Sequence, residues 1–253
     1  MHRLLVETGL LQVDAPTLPK DAARHLKVLR PKDGEEIELF DGKGKWRVYR
    51  FCASLKSGLE TASPLHVQSN IQTIEHSNNS LTLFACVTKG SRWDWTVEKA
   101  TELGVTRIVP VISERTIVRI PKSERAAKRE RWLRIAEDAA RQSDAKWLPE
   151  ICEAVDFRDA LPLVKDTTCF IGALTTPPSP SLARAIEDLR QKTGDKKGVS
   201  VYIGPEGDFT PEELEALMEI AVPTSFGPTI LRAETAAIFA VSVLSSFING
   251  KAD

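Results

Sequence analysis

The sequence predicts an α/β protein: a parallel sheet with helices, preceded by a small, mostly β domain. Three observations predict it. From Leu81 onward, apolar β-branched runs alternate with helix-length segments, the signature of βαβ units. Before that, residues 4–72 carry short apolar segments punctuated by turns, with one helical period among them. Finally, Gly204-Pro205-Glu206-Gly207 and Gly227-Pro228 each follow a short apolar run and precede a helical segment. This places two glycine-bearing loops at the carboxyl ends of neighbouring strands, where open α/β sheets bind ligands.

In the first region, Val6 and Leu10 to Val13 read as short strands, and Ile37 to Phe40, Trp46 to Cys52 and Leu65 to Ile71 as longer ones. Asp41-Gly42-Lys43-Gly44 is a hairpin signal. A helix fits Lys20 to Leu29, with Leu26 and Leu29 on one face and Arg24, Lys27 and Arg30 around the other. The apolar pattern lapses at Glu75 to Ser80, which reads as the interdomain linker and gives domains of 1–73 and 74–253.

The second region opens with a buried strand, Leu81 to Val87, a helix from Trp93 to Leu103 stopped by Gly104, and a strand from Val105 to Ile112. Residues 119–146 are the most basic stretch, much of it one amphipathic helix with Trp132, Ile135, Ala136 and Ala139 on its apolar face. A strand from Thr168 to Leu174, a helix from Leu182 to Arg190 and a strand from Gly198 to Ile203 follow. The next helix carries Pro211, Glu212 and Glu213 in its first turn. The last helix, from Glu234 to Phe247, is apolar almost all round and must be buried on more than one side.

The whole chain narrows the function classes. No apolar run approaches a membrane span, and Met1 to Glu7 is too quickly charged for a secretion signal, so the chain reads as cytoplasmic. Cys52, Cys86, Cys152 and Cys169 lack paired spacing, which argues against a metal site and for buried small side chains. A formal net charge of -1 hides an asymmetry: residues 1–147 hold 25 Lys and Arg against 19 Asp and Glu, whereas residues 148–253 hold 9 against 16. The basic part is the one suited to a polyanion. Neither G-x-G-x-x-G nor a P-loop is present, which argues against dinucleotides and nucleoside triphosphates.

Three motifs carry a family resemblance: Lys-Ala-Thr-Glu-Leu-Gly-Val at 99–105, Ile-Gly-Pro-Glu-Gly at 203–207, and Gly-Pro-Thr-Ile-Leu-Arg-Ala-Glu-Thr-Ala at 227–236. In that order they resemble the ribosomal RNA small subunit methyltransferase E (RsmE) family of the SPOUT class. The resemblance implies a PUA-like barrel followed by a methyltransferase domain with a C-terminal trefoil knot, acting as a homodimer. It implies S-adenosylmethionine as cofactor and N3 of a uridine in 16S rRNA, or in the small ribosomal subunit, as target. Cofactor-binding positions would be Leu174, Ile203, Gly204, Pro205, Glu206, Gly207, Phe226, Gly227, Ile230, Leu231 and Arg232. Arg24, His25, Arg30, Lys89, Arg125, Lys128 and Arg129 would meet RNA. The chain departs from the family pattern at Asp208, Thr229 and Ala233, where Gly, Arg and Thr are usual, and at Arg141 to Lys146, where Lys146 could replace a missing arginine.

Methyl transfer from a sulfonium is a one-step displacement, so alignment is the main task. The uridine N3–H is weakly acidic and needs a base, or a cation to stabilise the anion. Arg232 is the candidate for orientation or charge stabilisation, and Glu234 for proton removal or for capping the last helix. Glu206 could face the sulfonium or hold its loop; Lys99 and Glu102 could serve the family motif or pair on a helix surface. The rival functions are a SPOUT enzyme with another RNA target and a non-catalytic RNA-binding assembly protein.

Overall fold

Alternation of side chains along the strands decides both cores. The computed structural model describes residues 1–52, 65–74, 80–164, 167–173, 179–192 and 198–249. It divides into two compact units: residues 1–76 with 140–148, and residues 77–139 with 149–253.

In the first unit, β1 (His2–Leu5) pairs in parallel with β2 (Glu36–Phe40). β2 then pairs antiparallel with β3 (Lys45–Phe51), through the hairpin expected at Asp41 to Gly44. β4 (Leu65–Val67) and β5 (Gln72–Thr73) both pair antiparallel with β3. Helix α1 spans Lys20–Leu29, as its periodicity predicts, and buries Leu26. Leu4, Leu11, Ile37, Leu39, Tyr49 and Leu65 form the core of this unit.

Two expectations fail here. Leu10 to Val13 is not a strand; it lies largely in a 3-10 turn, Thr8–Gln12. The Tyr49 hydroxyl lies within 3.3 Å of the Leu10, Leu11 and Val13 carbonyls, and Arg47 Nη1 donates to Leu11 O at 3.0 Å. Side-chain donors thus satisfy acceptors that a strand would have paired. Residues 65–71 are not one strand either, because Ser69 interrupts the ladder: its hydroxyl accepts from Val48 N at 3.1 Å and its carbonyl from Arg47 Nε at 2.8 Å.

β2 shows what the period of two does. Ile37 and Leu39 enter the core, so Glu38 and Phe40 point to the other face, yet both are buried. Residues 140–148 cover them. Arg3 Nε donates to Glu38 at 2.8 Å, Lys146 Nζ lies 2.7 Å from both Glu38 oxygens, and the Arg3 guanidinium stacks 4.4 Å above Phe40. Arg3 also donates to the carbonyls of Ala140 (2.7 Å) and Ala145 (3.2 Å).

The second unit is built on a wholly parallel sheet. Its elements in chain order are β6 (Ser80–Cys86), α2 (Ser91–Glu102), β7 (Arg107–Ile112), α3 (Lys122–Ser143, its last turn in the first unit), β8 (Glu150–Ile151), β9 (Val155–Asp156), α4 (Phe157–Ala160), β10 (Thr168–Gly172), α5 (Leu182–Lys192), β11 (Gly198–Ile203), α6 (Pro211–Met218), β12 (Ala221–Thr224) and α7 (Ala233–Asn249). The strand order is β12-β10-β11-β6-β7-β8, with β9 also on β7.

Successive residues face opposite layers. Leu83, Ala85, Phe170, Val201 and Ile203 pack with helices α2, α3, α5 and α7, including Trp93, Trp132, Ile186 and Leu244. Phe84, Cys86, Ile171 and Tyr202 pack on the other side with Phe157 of α4 and Leu217 of α6. Sheet burial on both faces explains why these strands read as continuous apolar runs. Helix α7 contacts α2, α5, β6 and β11, which explains its apolar girth. Burial of a side chain such as Val241 or Leu244 stabilises by roughly 1.5–3 kcal/mol.

The glycine loops follow β11 and β12, which are not neighbours as the sequence reading has them: β10 lies between them. The chain inserts the middle strand first and adds its flanks later, an order that local pattern does not encode.

Candidate cofactor and RNA-binding site

Three chain segments leave the carboxyl ends of β10, β11 and β12 and enclose a cavity of about 370 Å³. Of the expected positions, Ile203, Gly204, Pro205, Glu206, Phe226, Gly227, Ile230, Leu231 and Arg232 line it. Gly207 is not in the wall; its carbonyl accepts from Arg115 Nη1 at 3.1 Å. Leu174 lies outside the described residues. Gly172, Ala173, Tyr202, Asp208, Thr229 and Ala233 also line the wall, although none is among the expected cofactor-binding positions.

Close packing demands glycine at Gly172 and favours it at Gly204. A Cβ on Gly172 would lie 2.5 Å from the Phe226 ring, and one on Gly204 would lie 3.2 Å from the Phe209 ring. Phe226 in turn tilts against Phe239 of α7, 5.8 Å away. Backbone and aromatic faces thus form much of the wall, with Ile230 exposed at the rim.

Local folding fixes the polar groups. Thr210 caps α6: its hydroxyl accepts from Glu213 N at 3.2 Å, and Glu213 Oε2 accepts from Thr210 N at 3.1 Å. Glu213 Oε1 also accepts from Glu114 N at 2.9 Å, so the loop after β7 braces the loop after β11. Glu206 pairs with Arg92 of α2 at 3.2 Å. Arg92 escaped the sequence reading because nothing local links positions 92 and 206.

Ala236 N donates to the Arg232 carbonyl at 2.8 Å, which makes Arg232 the residue before the first turn of α7. Its side chain is exposed and lines the cavity. Glu234 sits in the first turn but is not a wall residue; its Oε2 is buried and without a hydrogen-bond partner among the described residues. The Tyr202 hydroxyl is likewise buried and unpartnered, and burial pushes its titration well above the usual range.

The basic positions fall on both units and differ in what engages them. Arg24 is exposed on α1 beside Asp21, His25 is half-buried, and Arg30 ends the helix at φ 48°. Lys89 is exposed after β6. On α3, Arg125 donates to Asp156 at 2.6 Å with little exposure, and Arg129 donates to Ile151 O at 2.7 Å and Glu130 at 2.9 Å; Lys128 is half-buried. Arg125 and Arg129 therefore hold structure. Lys146, considered above as a substitute arginine, is engaged by Glu38 and by Asp144 at 2.8 Å. Lys99 pairs with Glu102 at 2.8 Å, as the helix spacing allows. Among the described residues, no group of three metal-ligating side chains occurs, and no helix is long and apolar enough to cross a membrane.

Fold and cavity define a class. A family model for the RNA methyltransferase domain matches residues 75–245, and one for the RNA methyltransferase PUA domain matches residues 18–51. Ribosomal RNA small subunit methyltransferase E of Bacillus subtilis is 27% identical over 254 residues, covering 97% of this chain and 96% of the relative. The Aquifex aeolicus protein of the same name is 33% identical over 172 residues, covering 66% of this chain and 69% of its own. The crystal structure of the Neisseria gonorrhoeae protein bound to S-adenosyl methionine superposes with a TM-score of 0.79 at 30% identity, covering 98% of each chain. The chain belongs to the ribosomal RNA small subunit methyltransferase E family of RNA methyltransferases.

Proposed function

We propose that this protein is an S-adenosylmethionine-dependent methyltransferase that modifies N3 of a uridine in 16S rRNA, in the cytoplasm and as a homodimer. The observation that carries the reading is the cavity at the carboxyl ends of β10, β11 and β12, set in a chain similar over its whole length to a relative crystallised with that cofactor. The residues fit the group. An adenosyl moiety needs an apolar slot with close backbone, and Gly172, Gly204, Ile203 and Phe226 supply one.

When bound, the cofactor supplies an activated methyl group for direct displacement. The chain's own residues align the partners. Arg232, exposed in the wall, is placed to orient the substrate base and to stabilise negative charge at its edge. Glu234, with one buried and unpartnered carboxylate oxygen, is our candidate to accept the N3 proton. Lys89, Lys128, Arg24, His25 and Arg30 are proposed phosphate contacts; they add affinity without reading sequence. We further propose that the trefoil knot lies in the second unit: β12 occupies one sheet edge, while the helix after it returns to α2, β6 and β11.

Calorimetric titration with S-adenosylmethionine, followed by transfer of labelled methyl to RNA, tests the reading. Saturable binding and label in 16S rRNA are expected; binding without transfer to any RNA would support the non-catalytic rival.

A further inference from the structure

Once the other charges around the cavity are counted, the Asp208 carboxylate is left over. Glu206 is matched by Arg92 at 3.2 Å. Arg232 lines the wall, and its guanidinium has no hydrogen-bonding or ionic partner among the described residues. Glu234, two positions later in the first turn of α7, offsets it in charge. Asp208, also in the wall, is the carboxylate that remains without a counter-charge in this count.

Its backbone shows that aspartate is the harder residue to place there. Asp208 N donates to Pro205 O at 3.0 Å, closing a tight turn, and its φ of 60° lies in the left-handed region that favours glycine. Aspartate tolerates this region better than most residues, and its Oδ1 accepts from Phe209 N at 2.8 Å. Among the described residues no cation pairs with this carboxylate. Oδ1 lies 3.5 Å from where a Gly204 Cβ would stand, on the side of that glycine that meets the Phe209 ring. A non-glycine residue held at positive φ in a cavity wall points to a role for its side chain.

We propose that Asp208 is a specificity-determining residue that makes this site prefer the sulfonium cation of S-adenosylmethionine to the neutral thioether of S-adenosylhomocysteine. The inference rests on the cofactor reading above. The two molecules differ by a methyl group and a unit charge, so shape and hydrogen bonding scarcely separate them. A carboxylate in the wall separates them by charge, favouring substrate entry and product release.

The test is calorimetric titration of both molecules into the wild type, Asp208→Asn and Asp208→Gly, at low and high salt. The asparagine variant keeps the turn-compatible shape and removes the charge; the glycine variant relieves the backbone. In both, S-adenosylmethionine affinity falls about three- to tenfold while S-adenosylhomocysteine affinity changes less than about twofold, and high salt narrows the wild-type preference. Equal changes for the two molecules, or none for either, overturn the proposal while leaving the cofactor reading intact. Failure of the wild type to bind either molecule overturns both.

Discussion

Arg92 and Glu206 form an ion pair of 3.2 Å that ties the first turn of α2 to the loop after β11. Glu206 lines the cavity, so an arginine outside the wall holds a residue inside it. Arg92→Ala is expected to weaken S-adenosylmethionine binding about three- to tenfold while changing stability by less than about 1 kcal/mol, because exposed pairs contribute little to folding. Titration and urea denaturation of the same preparation check this, and Arg92→Lys should recover part of the affinity. Unchanged affinity would make the pair a surface ornament.

Gly204→Val places side-chain atoms against the Phe209 ring, 3.2 Å from the new Cβ. The expected outcome is loss of cofactor binding, a stability cost of about 1–3 kcal/mol from overpacking, and RNA affinity retained within about twofold. Filter binding alongside calorimetry separates these effects; equal loss of both ligands would mean that the loop is only structural.

Lys146→Met removes one of the two cations from buried Glu38 and leaves Arg3 to satisfy it alone. Because one partner remains, the expected cost is about 1–3 kcal/mol, below that of orphaning the charge. A loss of unfolding free energy smaller than about 0.5 kcal/mol in urea denaturation would show that the network is redundant.

Burial pushes the Cys86 and Cys169 thiols up to about 11 from an ordinary 9.0. A group whose folded value is raised stabilises the fold fully below its unfolded value and loses that contribution as pH rises. Stability should therefore fall between about pH 9 and pH 11, by about 2–5 kcal/mol for the two together. Urea curves at pH 8 and 10.5 test this, with Cys86→Ala/Cys169→Ala expected to flatten the fall.

Lys128→Gln should reduce the log–log salt slope of RNA binding by about 0.7–0.9, the value for one phosphate contact. Arg125→Gln should instead lower stability, since its guanidinium is committed to Asp156. An unchanged slope for Lys128→Gln would place the RNA elsewhere.

The helices and the parallel strands were legible because their periodicities are local. Lys20–Leu29 carries a clear apolar stripe, and β6 and β11 are apolar on both faces because both are covered. The cavity was legible where glycine and proline interrupt that pattern. What escaped is long-range. β10 lies between the two loop-bearing strands, and Gly172 is needed because Phe226, 54 positions later, packs on it. Nothing local marks Glu38 as buried; a segment more than a hundred residues away covers it. Arg125 and Lys128 read alike in a basic helix; their partners distinguish them.

The central claim is best tested by incubating the purified protein with labelled S-adenosylmethionine and 16S rRNA or small subunits that lack the modification, then digesting the RNA to nucleosides. The account predicts label in N3-methyluridine, lost with Gly204→Val. Label in any other nucleoside, or none with either substrate, would contradict it.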